Sequence, residues 1–179
     1  MPRKKQSTAS PDKVWGIARI SIGFILFWAF IDKLFGLGFT TCRDQATNAI
    51  NVMCDSAWLA GGSPTTGFLQ FGTSGPLADV YQSLAGNQLI DWLFMLGLLA
   101  IGAALMLGIG MRIAVISGVA LFLMMYSATF PPDHNPLLSD HIVYSIVLIG
   151  LLKVNDQQAL GFGKQWKKSK LVKKYPFIA

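Results

Sequence analysis

Apolar residues along this chain occur in long blocks that have the length of membrane-spanning helices. No charged residue lies at 92–111 or at 113–132, and about 20 apolar residues are enough to cross a hydrocarbon core about 30 Å thick. A single helix over 92–130 would be about 58 Å long, so the chain must turn at 108–112, whose sequence is GIGMR. Two further apolar blocks carry polar residues near one end. The pattern predicts an all-α, integral membrane four-helix bundle with spans at about 14–37, 92–109, 112–130 and 137–152.

The composition excludes an ordinary soluble domain, and the charge distribution predicts the orientation. Only 13% of the 179 residues are charged, whereas soluble domains carry about 25%. Of the 15 Lys and Arg residues, only Lys33 and Arg43 fall on the side opposite to the termini, which leaves 13 on the side of the termini. Because cytoplasmic loops are enriched in Lys and Arg, we expect a multi-pass protein of the prokaryotic cell (inner) membrane with both termini in the cytoplasm.

This topology divides the chain into three parts. A membrane domain at 14–155 is flanked by basic cytoplasmic segments at 1–13 and 156–179. We expect the basic flanks to contact anionic membrane lipid, and we expect no nucleic-acid partner.

The segment 39–90 lies outside the membrane in this topology and is too long for a bare loop. Ser-Pro at 63–64 and Gly-Pro at 75–76 are helix-start signals, and they predict short helices that end near Phe71 and Leu84. The second helix has apolar side chains at helical spacing: Leu77, Val80, Tyr81 and Leu84. We therefore expect a helical extracytoplasmic segment that lies on the membrane surface or caps the bundle.

Ionisable residues in the first span are candidate site residues, because charge inside a membrane is costly. Arg19 and Lys33 are 14 residues apart, about four helical turns, so they share one face with Gly23, Leu26 and Phe30. That face is expected to point into the bundle. Alternatively, Arg19 and Lys33 snorkel to opposite membrane surfaces, and Asp32 only neutralises Lys33 or Arg43.

The start of the last span carries a polar strip and follows a polar loop. Asp140, His141, Tyr144 and Ser145 lie at i, i+1, i+4 and i+5, and the other histidine of the chain, His134, is in the preceding loop. Histidine titrates nearest to neutral pH, so this strip is a candidate for proton exchange at the outer face. The alternative is a helix capped by Asp133 or Asn135, with both histidines simply hydrogen-bonded at the interface.

The two cysteines, Cys42 and Cys54, both fall in the outer segment. An oxidising outer compartment favours a disulfide between them, which would stabilise the fold by roughly 3 kcal/mol in the chain-entropy model. A reactive dithiol is the alternative, although the pair lacks Cys-x-x-Cys spacing. The sequence has no haem, flavin or iron–sulfur motif and predicts no metal site. A redox reaction would therefore need a diffusible quinone, the cysteine pair or a partner subunit.

Several motifs resemble those of the DoxX and DoxD proteins. RISIG at 19–23 followed by DKLFG at 32–36 is similar to the R-x3-G-x9-K-L-F-G signature of that family, and GIGMR at 108–112 is similar to its turn between the second and third helices. GFGKQW at 161–166 resembles its closing glycine-rich segment. WLAGGSPTTG at 58–67 resembles the longer branch, which contains the membrane subunit of thiosulfate:quinone oxidoreductase.

The resemblance implies a four-helix membrane subunit that passes electrons from a reduced sulfur compound to membrane quinone, and it marks Arg19, Lys33 and Arg112. Joined with the residue chemistry, it suggests that Lys33 and Arg43 hold an anion while His141, helped by Asp140 and Tyr144, serves a quinone. A second oxidoreductase subunit or a homo-oligomer is a possible partner. The competing hypothesis is a non-catalytic DoxX-like protein: an assembly factor, a lipid or quinone binder, or an accessory subunit of an oxidative-stress complex.

Overall fold

A computed structural model describes residues 11–44, 46–132, 135, 137–154 and 159–178. These residues form eight α-helices and contain no β-strand. The helices are α1 (Pro11–Phe35), α2 (Thr66–Phe71), α3 (Ala78–Gln82), α4 (Gln88–Leu107), α5 (Met111–Ala128), α6 (Asp140–Lys153), α7 (Gly163–Lys167) and α8 (Lys170–Lys174). Short 3-10 turns lie at Trp58–Ala60, Gly75–Leu77 and Pro176–Ile178.

Three of the helices are long and apolar enough to cross a membrane: Asp12–Phe35 within α1, then α4 and α5. Their limits lie within about four residues of the predicted spans. The predicted last span corresponds to α6, which starts at Asp140 and has 14 residues. Its length is about 21 Å, less than the hydrocarbon core.

The four longest helices pack as a bundle around one apolar core. α1 packs mainly on α4, α5 packs mainly on α6, and α4 and α5 join the two pairs. The most buried apolar side chains come from α4, α5 and α6 and include Met95, Leu98, Leu105, Met111, Val115, Leu148 and Leu151. Outward faces of the same helices expose apolar side chains such as Leu93, Ile116 and Ile146, as expected for helices in lipid.

Two glycines set the distance between α1 and α4. A Cβ atom added at Gly102 would lie 2.7 Å from the backbone nitrogen of Phe27 and 3.0 Å from the carbonyl oxygen of Gly23. Small residues allow two membrane helices to approach this closely.

The predicted turn at 108–112 is confirmed. α4 ends at Leu107, just before Gly108, and α5 begins just after Gly110. Both glycines have the left-handed backbone conformation, with φ of 72° and 57°. A residue with a Cβ rarely adopts this conformation. We call the end of the bundle that holds Arg19 and Gly108 the arginine end, and the opposite end, with Asp32 and Asp91, the aspartate end.

The segment between α1 and α4 folds over the aspartate end. The two predicted short helices are present as α2 and as α3 with its preceding 3-10 turn. The hydroxyl of Tyr81 lies 2.6 Å from Ser127 Oγ and 3.2 Å from the carbonyl oxygen of Met124, which ties α3 to α5. Leu77 and Val80 of the predicted apolar stripe remain exposed.

The C-terminal segment 159–178, which belongs to the predicted basic flank, is folded against the arginine end. The backbone N–H of Phe162 donates to the carbonyl oxygen of Leu107 (2.8 Å), and the N–H of Ala159 donates to that of Asp12 (3.2 Å). Val172 is buried. We refer to residues 159–178 as the C-terminal cap.

Candidate functional sites at the two ends of the bundle

Arg19 holds three parts of the chain together at the arginine end. Its guanidinium donates from Nη1 to the carbonyl oxygens of Leu105 and Met106, the latter at 3.2 Å, and from Nη2 to that of Leu160 at 2.5 Å. Only 1% of the residue is exposed. The guanidinium is therefore bound by backbone carbonyl groups of the chain at this end of the bundle.

The position of Arg19 follows from the end of α4. The last carbonyl groups of a helix have no partner within it. Here Arg19 donates to the carbonyl oxygens of Leu105 and Met106, and the N–H of Phe162 in the cap donates to that of Leu107. A cation at this end also interacts favourably with the helix dipole. Arg19 is thus a structural clamp that joins α1, α4 and the C-terminal cap.

Asp32 organises the turn that follows α1. Its carboxylate accepts hydrogen bonds from the backbone N–H of Phe39 (3.0 Å), from the N–H of Thr40 (2.9 Å) and from the Thr40 hydroxyl (2.7 Å). The side chain is fully buried. Its partners are therefore backbone and hydroxyl donors, and its role is larger than neutralising a neighbouring cation.

Lys33 and Arg43, the predicted anion-binding pair, both contact the 38–41 turn. Lys33 Nζ donates to Thr40 Oγ1 at 3.0 Å, and Arg43 Nε donates to the carbonyl oxygen of Gly38 at 2.5 Å. Asp32 accepts from the same Thr40 hydroxyl. An anion at this turn would meet two cations and one carboxylate.

Cys42 and Cys54 form a disulfide, with their Cα atoms 5.7 Å apart. It closes a loop that contains Arg43 and Asp44. Asp44 is exposed, and the N–H and hydroxyl of Thr47 together with the N–H of Ala46 hold its pKa below the ordinary value. The disulfide and this small turn keep Arg43 next to the end of α1.

At the start of α6, the strip predicted for proton exchange is divided between two environments. Asp140 is exposed, whereas His141 and Tyr144 are partly buried against Phe122 of α5, with ring centroids 6.2 and 5.4 Å away. His141 Nδ1 is buried and has no hydrogen-bond partner in the described part of the chain. Ser145, which is also buried, donates to the carbonyl oxygen of His141 (2.8 Å).

Asn135, one of the two residues proposed as an alternative cap of α6, lies before the helix and does not occupy its N-cap position. Asn135 Oδ1 accepts from the backbone N–H groups of Leu137 and Leu138, both at 3.0 Å. It orders the approach to α6, whereas the N-cap position belongs to Ser139, whose side chain makes no capping bond. Asp133 and His134 lie outside the described residues.

The residues marked by the resemblance lie at two ends of the bundle, and with Asp32 and Arg43 they do not form one substrate-binding site. Arg19 and Arg112 lie at the arginine end, where Arg112 is exposed in the first turn of α5. Asp32, Lys33 and Arg43 lie at the aspartate end. Arg19 and Lys33 are about 21 Å apart along α1, so no small anion contacts both.

Asp91 is a buried site residue that the sequence reasoning passed over. One of its carboxylate oxygens accepts from Ser63 Oγ (2.8 Å), the Thr65 hydroxyl (2.5 Å) and the Thr65 N–H (3.3 Å). Its first-turn position in α4 and the SPTT sequence at 63–66 were the available signals. Thr65 and Ser63 lie 26 and 28 residues before Asp91 in the sequence, so no local periodicity indicates this contact.

Comparison of the chain with protein-family models, with curated proteins and with solved structures finds no match.

Proposed function

We propose that this protein is the membrane subunit of a quinone-linked oxidoreductase of the DoxX/DoxD type, which passes electrons from a reduced sulfur compound to membrane quinone. The observation that carries the proposal is the environment of His141. A titratable ring with a buried, unpartnered Nδ1 lies against Phe122 and beside Tyr144. Aromatic rings suit a flat quinone, and a histidine suits its protonation.

The proposed topology has four spans, with α6 and its flanking residues as the last, and with both termini in the cytoplasm of a prokaryotic cell. The cation distribution supports it, because the arginine end holds Arg112 and the lysines of the C-terminal cap. A reporter fused after Ala179 should be active only if it functions in the cytoplasm. Activity of an external reporter would refute this topology.

The proposed electron donor is an anion such as thiosulfate that approaches the aspartate end. Lys33 and Arg43 keep N–H groups beyond those bonded to Thr40 and Gly38, and these are proposed to bind it. Two thiosulfate ions give up one electron each and couple through a sulfur–sulfur bond, and quinone takes the two electrons with two protons. A partner subunit is proposed to connect the donor with His141.

The test uses the purified protein in detergent under anaerobic conditions. Organic extraction should recover bound quinone, and His141→Gln should lose it, because the ring that faces Phe122 is replaced. Val143→Ala, on the exposed face of the same helix, is the matched control and should keep it. The proposal fails if the protein binds no quinone, either after purification or in its own membrane.

Substitution of Lys33 tests the donor site separately. Lys33→Met removes the charge and nearly keeps the volume. It should retain quinone but lose thiosulfate-dependent quinone reduction, measured in membranes that contain the partner. Unchanged reduction would exclude Lys33 from the donor site.

A non-catalytic membrane protein is the second candidate, and a specific observation favours it. Arg19, Asp32 and Asp91 are all buried, and each binds groups of the fold itself. On this hypothesis the polar residues are structural. The protein would then bind quinone or lipid without reducing it, so quinone retention without thiosulfate-dependent reduction in any membrane would favour this candidate.

A further inference from the structure

The C-terminal cap is a folded, strongly basic structure at the arginine end. Its described residues include six lysines and no acidic residue. Trp166 Nε1 donates to the carbonyl oxygen of Ile178 at 2.9 Å, and Ser169 caps α8 by accepting from the N–H of Val172. The cap therefore has a defined shape before any partner binds.

The outward surface of the cap combines lysines with large apolar side chains. In α8, Val172 is buried, and Lys170 and Lys174 lie on the opposite side of the helix. The other exposed lysines are Lys164, Lys168 and Lys173. The exposed large apolar side chains of the cap are Leu160, Phe162, Leu171, Tyr175 and Phe177, with 52, 58, 57, 44 and 60% of each accessible. Large exposed apolar side chains are unfavourable on a surface that faces only water.

The cap also lies at a particular depth. Phe162 binds the last carbonyl of α4, which is a candidate span, and the N–H of Ala159 binds Asp12 in the first turn of α1. The cap therefore starts where α4 ends. This is the level at which a spanning helix leaves the hydrocarbon and meets the lipid headgroups.

We propose that the C-terminal cap is a binding surface for anionic lipid headgroups of the leaflet at the arginine end. The lysines supply charge for phosphate groups, and the aromatic and leucine side chains lie between headgroups, as amphipathic residues do at a membrane interface. The depth of the cap favours lipid over an acidic protein or a nucleic acid, because the cap begins where the candidate span α4 ends, at the level of the headgroups. The proposal depends on the membrane location and is independent of any redox activity.

The test compares hydrogen exchange of the full-length protein in two kinds of nanodisc. One contains phosphatidylcholine alone, and the other contains about one-third phosphatidylglycerol. Short helices of the cap open easily, and a ligand that binds only the closed form slows their exchange. We expect amide exchange in peptides from 159–178 to be about tenfold slower with phosphatidylglycerol, and salt of about 1 M should remove the difference.

Two triple variants separate charge from structure. Replacement of Lys168, Lys170 and Lys174 by Gln should abolish the slowing by phosphatidylglycerol, whereas replacement by Arg should preserve it. Equal exchange of the Gln variant and the parent in phosphatidylcholine shows that the cap is still folded. Should the parent exchange equally fast in both nanodiscs, the proposal is overturned. Slowing by added RNA in phosphatidylcholine nanodiscs, without slowing by phosphatidylglycerol, would also overturn it and assign the surface to nucleic acid.

Discussion

Replacing Arg19 by Met tests whether the guanidinium is a clamp. The substitution keeps an unbranched apolar side chain but removes the guanidinium and with it every donor. The carbonyl oxygens of Leu105, Met106 and Leu160 then lose their partner. We expect the protein to fold, with α1 and the C-terminal cap less firmly attached to α4.

The expected loss of stability is about 3 kcal/mol. Each buried acceptor left without a donor costs roughly 1 to 3 kcal/mol. Part of the sum is recovered, because a buried guanidinium no longer has to be desolvated, and because water reaches the exposed segment around Leu160. Arg19→Lys keeps the charge near the end of α4 and one donor group, so about half of the loss is expected.

The assay is reversible unfolding in detergent followed by tryptophan fluorescence, with denaturant as the variable. Arg112→Met is the matched control, because Arg112 lies at the same end, is exposed and makes no hydrogen bond within the described residues. Its effect should stay within about 0.5 kcal/mol. If the Arg19 variant is as stable as the parent, or if the Arg112 variant loses as much, the clamp does not exist.

Three further outcomes follow from other parts of the structure. In the same unfolding assay, Gly102→Ala should destabilise the protein by about 1 to 3 kcal/mol, because the added Cβ meets the backbone of α1. Gly97→Ala on the same helix is the control. Nothing lies within 4 Å of its added Cβ, so it should be neutral or slightly stabilising. Alkylation without reductant should leave Cys42 and Cys54 unmodified in mass spectra, and labelling of both thiols would contradict the disulfide. The pKa of the Asp44 carboxyl group, measured by NMR, should lie below the ordinary aspartate value of about 3.9. The turn that Asp44 holds should therefore persist at about pH 3.9 and be lost only as the pH falls through the lowered pKa. An ordinary pKa would contradict the hydrogen bonds from Ala46 and Thr47.

The parts of the fold that depend on local pattern could be predicted from the sequence. The apolar blocks gave the helices, and glycines at 108 and 110 marked the turn because few other residues adopt its backbone conformation. The face shared by Arg19, Leu26 and Phe30 is buried, as helical periodicity required.

The contacts of the polar residues could not be predicted in the same way. Arg19 binds Leu160, which is 141 residues away, and Asp91 binds Ser63 and Thr65 across a loop. Periodicity identifies the face of a helix but does not identify what that face meets. The same limit explains why Arg19, Lys33 and Arg112, which the resemblance marks together, lie at two ends of the bundle.

The clamp at Arg19 also has a consequence for how the protein is made. Synthesis proceeds from the N-terminus at about 5 to 20 residues per second, so Leu160 is added roughly 7 to 28 s after Arg19, to which it later binds. On the proposed topology, the guanidinium has to stay hydrated at the cytoplasmic face until α4 is inserted, because an unpaired charge is costly inside the bilayer. The first helix to enter the membrane therefore reaches its final depth only after α4 has been inserted, and it is fixed there by the last segment of the chain. A truncation that removes Leu160 would thus leave the N-terminal helix attached to α4 by fewer contacts of Arg19.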